Sequence, residues 1–308
     1  TVVRNNGHYG SATNIFTGTF DSYGIRENAR VPEPTLFEYI RRDAGLAPTD
    51  VWLSTAGSDQ ETNYAYSSHE QYGRQYGANL IGGEGVFNAE FREVITGGTG
   101  QLPTRDAKSE DALAALRGAI QPDRKADATG GVNDPESVAR IESYILDELG
   151  RGTSNITGLG ANDAKAMRVA SNLLAIFKPR LLSVTLRAAD VAHGSFNNYV
   201  TVIRRNDEEL GRLMDAIGQD PDLAETTAVF VLSEFGRDRD LNERRGLDHG
   251  DGSDDLLKVA TVAWGPDFFK GKEVSREVRS IDVCPTIANM FGVRATMAQG
   301  GVLPQLFA

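Results

Sequence analysis

Three short apolar runs, at 181–187, 227–232 and 259–264, constrain this chain more than any other feature. Each has strand length, is rich in β-branched residues and lacks polar alternation. A strand that is apolar on both sides needs cover on both faces, as in a parallel sheet between helical layers. Between the first two runs, Phe196, Tyr199, Val200, Ile203, Leu210, Leu213, Met214 and Ile217 recur at helical spacing. Asp207 falls on the inward stripe of that helix by the same count. Further helices are expected over 35–44, 108–120, 136–150, 162–178 and 281–291, with Gly292 placed to end the last. A strand is expected at 51–54. Residues 63–73, polar and rich in Tyr, Ser and Gln, read as a surface excursion, with His69 on it. Alternating strands and helices imply right-handed crossovers and an α/β fold on a mostly parallel sheet. No repeat, low-complexity tract or linker divides the chain, so 1–308 reads as one domain.

Composition removes several function classes. A net charge of −11 and a pI near 4.9 leave no basic face to meet phosphate backbones, so no nucleic-acid partner is expected. No apolar run approaches the roughly 20 residues of a transmembrane helix. Cys284 is the sole cysteine, which excludes thiolate clusters and an internal disulfide. It sits among Ile281 and Ile287 and reads as a buried packing thiol.

In open parallel sheets, ligands bind beyond the carboxyl ends of the strands. Asp190 and His193 follow the first run, Glu234 and Arg237 follow the second, and Arg245, Asp248 and His249 come before the third. Two of only four histidines thus stand beside acids at strand ends. Carboxylates and imidazoles together are the donors of zinc, manganese and iron sites. Taken singly, each has a structural reading. Asp190 suits a helix cap, a histidine suits a buried hydrogen bond, and the acidic stretch 248–255 suits a solvated or calcium-attracting loop.

In order along the chain, these segments resemble the alkaline phosphatase superfamily, which includes sulfatases and related phosphoryl and sulfuryl hydrolases. Asp190-Val-Ala-His193, with Tyr199, Asp207 and Leu210-Gly211, is similar to the family's Asp–His element and the helix after it. Ser233-Glu234-Phe235-Gly236 resembles a strand end that is normally Ser-Asp-His-Gly. Asp248-His249-Gly250 resembles the later His-Gly metal element. Gly265-Pro266, Ser280-Ile-Asp282 and Pro285-Thr286 resemble the closing signature. Ile15-Phe-Thr17-Gly18 and Tyr23-Gly24-Ile25 look like the segment after the nucleophile.

The resemblance implies a three-layer α/β/α sandwich. It also implies hydrolysis of phosphate or sulfate esters by one or two divalent metals (zinc, manganese or calcium) and a covalent intermediate. Carried over by position, Asp190, His193 and His249 would ligate one metal, and Glu234 stands where the family has the Asp of a second site. Arg237 or Arg245 would neutralise charge on the transferred group. Two positions depart from the pattern. Phe235 replaces the second-site histidine, and a phenyl ring cannot ligate. Counting back from Thr17-Gly18 puts the nucleophile position on His8. A shifted alignment offers Ser11 or Thr13 instead, at the start of an expected helix whose N–H groups could receive an anion. The family's first strand, ending in a metal-binding Asp, should precede this segment, and the residues before His8 are too few to supply it. It is expected to be removed, supplied by another chain, or lacking, so an oligomer or an additional chain segment stays open. The implied substrate is a small-molecule ester, and the implied location is periplasmic or extracellular. The alternative is a catalytically inactive member of the fold with a structural or binding role, retaining one metal ion.

Overall fold

The computed structural model describes residues 1–20, 29–57, 60–82, 86–87 and 156–308. The helices expected over 108–120 and 136–150 and the Tyr23-Gly24-Ile25 motif lie outside them. In chain order the elements are α1 (His8–Thr17), α2 (Leu36–Asp43), β1 (Val51–Thr55), α3 (Glu61–Tyr64), β2 (Asn79–Gly82), β3 (Val86–Phe87), α4 (Ala161–Phe177), β4 (Leu181–Thr185), α5 (Phe196–Gln219), α6 (Pro221–Thr226), β5 (Val229–Leu232), α7 (Asp254–Leu257), β6 (Thr261–Trp264) and α8 (Val283–Met290). The class is α/β. No helix among the described residues is long and apolar enough to cross a membrane. The chain divides into two compact units.

One unit, residues 46–61 and 78–188, holds the sheet β3-β2-β1-β4. β1 pairs parallel with β2 and with β4, and β3 closes the edge antiparallel to β2. Every residue of β1 (Val-Trp-Leu-Ser-Thr) is buried, so both faces of this strand are covered. Trp52 and Ser54, two residues apart, point to the same face and meet α4. The Trp52 ring lies 5.0 Å from that of Phe177, and the Ser54 hydroxyl donates to the Ala166 carbonyl at 2.8 Å. Asp163, in the first turn of α4, accepts the Arg187 and Ala188 N–H groups at 2.8 and 3.0 Å and so fixes the exit from β4.

The other unit comprises residues 1–45, 62–77 and 189–308. α1 ends at Gly18, whose φ of 72° lets the chain turn sharply out of the helix. A side chain at Gly18 would come within 2.7 Å of the Ala298 Cβ and 3.3 Å of the Cys284 Cβ. Cys284 is fully buried in α8. α2 opens with a capping box between Thr35 and Glu38 and packs against α8. α5 buries Val202, Leu213 and Ile217.

Three expectations need correction here. β5 and β6 pair antiparallel with each other, Val231 opposite Val262, and are not further parallel strands. An apolar run records a preference for burial and carries no strand direction. One face of the pair meets Phe268 through Phe230, at 5.3 Å between rings, while Val231, Val262 and Trp264 are exposed. Asp207 is also exposed, because the buried stripe of α5 passes beside it. Finally, the polar stretch at 63–73 is a surface excursion only around Ser68, Glu70 and Gln71. Tyr64, Ala65, Ser67 and Tyr72 are buried, since Glu38 and Arg30 supply partners for its polar groups.

Candidate metal centre

The candidate centre is assembled from three stretches of the second unit. The turn Ala188–His193 carries Asp190 and His193, the first turn of α1 carries His8, and the loop after β5 carries Glu234, Arg237, Asp248 and His249. That loop is tied down through its backbone. The Asn242 side chain accepts from the Arg244 and Gly246 N–H groups and donates to the His193 carbonyl at 3.1 Å. The Leu247 N–H donates to the Ala192 carbonyl at 2.8 Å, and the Arg245 carbonyl accepts the Phe196 N–H at 2.9 Å. Gly246 lies so close that a Cβ there would sit 2.2 Å from the Ala192 oxygen.

Three imidazoles share one arrangement, in which Nδ1 is held by an acceptor and Nε2 faces Asp190. His249 Nδ1 donates to the Asn6 carbonyl at 2.6 Å, and its Nε2 lies 3.8 Å from Asp190 Oδ1. His193 Nδ1 is 2.6 Å from Asp248 Oδ1, with Nε2 3.2 Å from Asp190 Oδ1. His8 Nδ1 is hydrogen-bonded to Glu234 Oε1, with Nε2 also 3.2 Å from Asp190 Oδ1. One donor atom from each of His8, Asp190 and His249 lies within 4.8 Å of the others. Arg237, only 11% exposed, donates from Nη2 to Asp190 Oδ1 at 2.7 Å and from Nη1 to His193 Nε2 at 3.2 Å. Phe235 is buried against His8 and His249, at 5.0 and 4.6 Å between rings, and walls one side.

The electrostatics follow from these contacts. The hydrogen bond to Glu234 raises His8 above the usual histidine value, against a smaller opposing effect of burial. Burial alone would raise the Asp190 carboxyl, but the Arg237 hydrogen bond and the charges of His8, Arg237 and His193 bring it below its ordinary value. Burial lowers His249, and the nearby Arg237 adds to that. The His193 hydrogen bond lowers Asp248. His8 and Asp190 are thus biased towards opposite charges, while His249 is biased towards the unprotonated form that a metal requires.

Of the residues expected at a site, the structure brings Asp190, His193, His249 and Arg237 together. Glu234 stands behind His8. Ser11 and Thr13 are buried, and their hydroxyls donate to the Asn5 and Gly10 carbonyls at 2.6 and 2.9 Å. Arg245 is exposed, with φ at 61°, and its backbone rather than its side chain serves the loop. Sequence reasoning did not assign His8 as a donor, although the count from Thr17-Gly18 had already landed on it. It also passed over Asp248 as an anchor and could not have found the Asn6 carbonyl, which any residue type supplies.

No protein-family model matches this chain, and no curated protein matches it. Among solved structures, it is similar to a phosphonate monoester hydrolase from Silicibacter pomeroyi, at 14% identity over 99% of this chain and 68% of that one, with a TM-score of 0.43. It is also similar to a protein solved in complex with its substrate D-glucosamine-2-N,6-O-disulfate, at 13% identity over 99% of this chain and 72% of that one, with a TM-score of 0.47. The chemistry is therefore read from the side chains themselves.

Proposed function

We propose that this chain is a metal-dependent hydrolase of phosphate or sulfate esters, centred on His8, Asp190, His193 and His249. The observation that carries the reading is the convergence of three anchored imidazole Nε2 atoms on one carboxylate oxygen. Histidine ligands characteristically have the other ring nitrogen held by a carboxylate or carbonyl, as all three do here. The donor set therefore fits a metal ion. His8, Asp190 and His249 offer donor atoms within 4.8 Å of one another, with His193 Nε2 facing the same carboxylate. Imidazoles with a carboxylate suit zinc or manganese, whereas calcium takes six to eight oxygens.

When bound, such an ion supplies Lewis acidity towards an ester oxygen and lowers the pKa of water. The chain's own residues supply the rest. Arg237 offers guanidinium N–H groups to an anionic group arriving beside Asp190. Phe235 keeps water from the face of His8 and His249. His8 serves as a donor, and Glu234 holds its Nδ1 proton. Ser11 and Thr13 direct their hydroxyls to backbone carbonyls, so direct attack by water is the route this site favours. The substrate is a small ester, because the net charge of −11 repels polyanions at long range. A periplasmic or extracellular setting goes with the sequence resemblance.

Metal analysis of the purified protein, paired with assays on aryl phosphate, aryl sulfate and aryl phosphonate, tests this. The expected result is near-stoichiometric zinc or manganese and hydrolysis that chelation abolishes and metal restores. Protein that neither holds metal nor turns over any of the three esters overturns the proposal. A metal-binding but catalytically inactive protein is the second reading, favoured by the burial of Ser11 and Thr13. Stoichiometric metal without turnover would select it.

A further inference from the structure

We propose that Asp248 is a positioning residue, which holds His193 in the tautomer that presents its Nε2 lone pair to the centre. The inference rests on the metal-site reading above and adds a residue that the donor set does not contain. Two independent contacts define the tautomer. Asp248 Oδ1, a carboxylate oxygen, lies 2.6 Å from Nδ1 and can only accept, so the proton belongs on Nδ1. At Nε2, Arg237 Nη1 can only donate, at 3.2 Å, and Asp190 Oδ1 at the same distance already accepts from Arg237 Nη2 at 2.7 Å, so the lone pair belongs there. The His193 ring, 31% exposed at the end of a short turn, has Asp248 as its partner at Nδ1 and the largely buried Arg237 at Nε2. His8 and His249 differ: one is braced by Glu234, and the other by a backbone carbonyl that no side-chain change removes. His193 therefore depends on Asp248 at Nδ1 much as His8 depends on Glu234, the two carboxylates being 39% and 33% exposed. Asp248 is adjacent to His249, so the loop that delivers one donor also orients another.

The loop makes this coupling rigid. Asn242 and Leu247 bond the backbone of residues 192 and 193, which fixes the distance from Asp248 to the His193 ring independently of any ion. Asp248 is also 3.6 Å from Arg244, a weaker contact on its exposed side.

The test compares Asp248→Ala, which removes the acceptor, with Asp248→Asn, which removes the charge but keeps an oxygen able to accept the Nδ1 proton. Zinc affinity is measured by competition with a chromophoric chelator, and the cobalt-loaded protein is followed by its visible absorption. The alanine variant is expected to lose about 10- to 100-fold in affinity, as second-layer partners of ligating histidines do. It should also show an altered cobalt spectrum, while the asparagine variant stays near wild type. Asp254→Ala, which removes an exposed carboxylate at the start of α7, just after the same loop, controls for charge alone. Unchanged affinity in Asp248→Ala, or an equal loss in both Asp248 variants, overturns the proposal. Nitrogen-15 shifts of the His193 ring in the metal-free protein give a readout that needs no ion. They should report Nδ1–H in wild type and a tautomer mixture in Asp248→Ala. A wild-type protein that binds no metal but shows this shift would sink the metal-site reading and leave the tautomer assignment standing. A wild-type ring already in mixed tautomers would sink the assignment itself.

Discussion

Glu38 and Asp190 are carboxylates of the same unit with opposite surroundings. Glu38 is completely buried, and it accepts from the Thr35 N–H, the Ser67 hydroxyl and the Gly73 N–H, each at 2.7 Å. Burial pushes its carboxyl above the ordinary range, and the bonds from Thr35 and Ser67 pull it back. Asp190 is 45% exposed and is met by imidazole nitrogens and a guanidinium. The difference lies in the partners. Two of the Glu38 donors are backbone N–H groups, and none of the three carries a nitrogen lone pair. The partners of Asp190 include three rings that can exchange a proton or a metal for their contact with it. A carboxylate surrounded by fixed donors holds a fold together. One surrounded by titratable nitrogens in reach of solvent is placed for chemistry.

The comparison breaks if the two carboxylates respond alike to removal. Glu38→Ala should have the largest effect on stability, because it strands the buried donors of Thr35 and Ser67 at about 1–3 kcal/mol each, together with the part-buried Gly73 N–H. A loss of about 3 kcal/mol or more is expected in denaturant unfolding, and a loss below about 1 kcal/mol would show that the network is not structural. Asp190→Asn should do the reverse. It keeps the shape and an oxygen able to accept from Arg237, so stability should change by no more than about 1 kcal/mol. Zinc affinity should fall by more than the roughly 100-fold seen for outer partners, as measured by chelator competition. Retained affinity would remove Asp190 from the centre.

The same pair shows how far the sequence could be read. Asp190, His193 and His249 stood out because acids and histidines are few enough, and close enough to strand ends, for their coincidence to carry information. β1, β4, α2, α4 and α8 were legible from short apolar runs, helical spacing and the Pro and Gly residues at helix ends. The role of Glu38 was not, because a buried carboxylate and a solvated one look alike in a helix, and its partners Ser67 and Gly73 lie in a stretch whose composition reads as surface. The same stretch hid Tyr64 and Tyr72, both buried. The pairing of β5 with β6 escaped for another reason. Both are apolar runs of four residues in the structure, and nothing in such a run distinguishes a parallel neighbour from an antiparallel one. His8 lay in plain view, but its role depends on Glu234 and Asp190, which are distant in sequence.

The loop that delivers Asp248 and His249 sharpens the contrast, since it joins backbone fixation to a chemical cluster. Gly246→Ala would drive a Cβ to 2.2 Å from the Ala192 oxygen and 2.5 Å from the His193 oxygen. Neither atom can rotate away, so the loop must lift. A stability loss of about 1–3 kcal/mol is expected, as for other overpacked sites. Zinc affinity should fall with it, because His249 and Asp248 move together. A variant with wild-type affinity would show that the loop does not set the positions of the donors.

The smallest expected effect concerns pH. His8 has a folded value raised above 6.5 by Glu234, so in metal-free protein the pair stabilises the fold most where His8 is protonated in both the folded and unfolded states. That contribution is fully present below pH 6.5 and is lost as pH rises through the higher folded value. Both side chains are about one-third exposed, so solvent screening holds it to about 1 kcal/mol or less. Glu234→Gln removes the charged acceptor, and the difference in stability between wild type and variant should shrink across that window. Urea unfolding at several pH values, in the presence of a chelator, measures it. A difference that stays constant from acid to neutral pH would mean that Glu234 orients His8 without altering its charge. Zinc binding should follow the same titration in the opposite sense, strengthening as pH rises and His8 gives up the proton that competes with the ion.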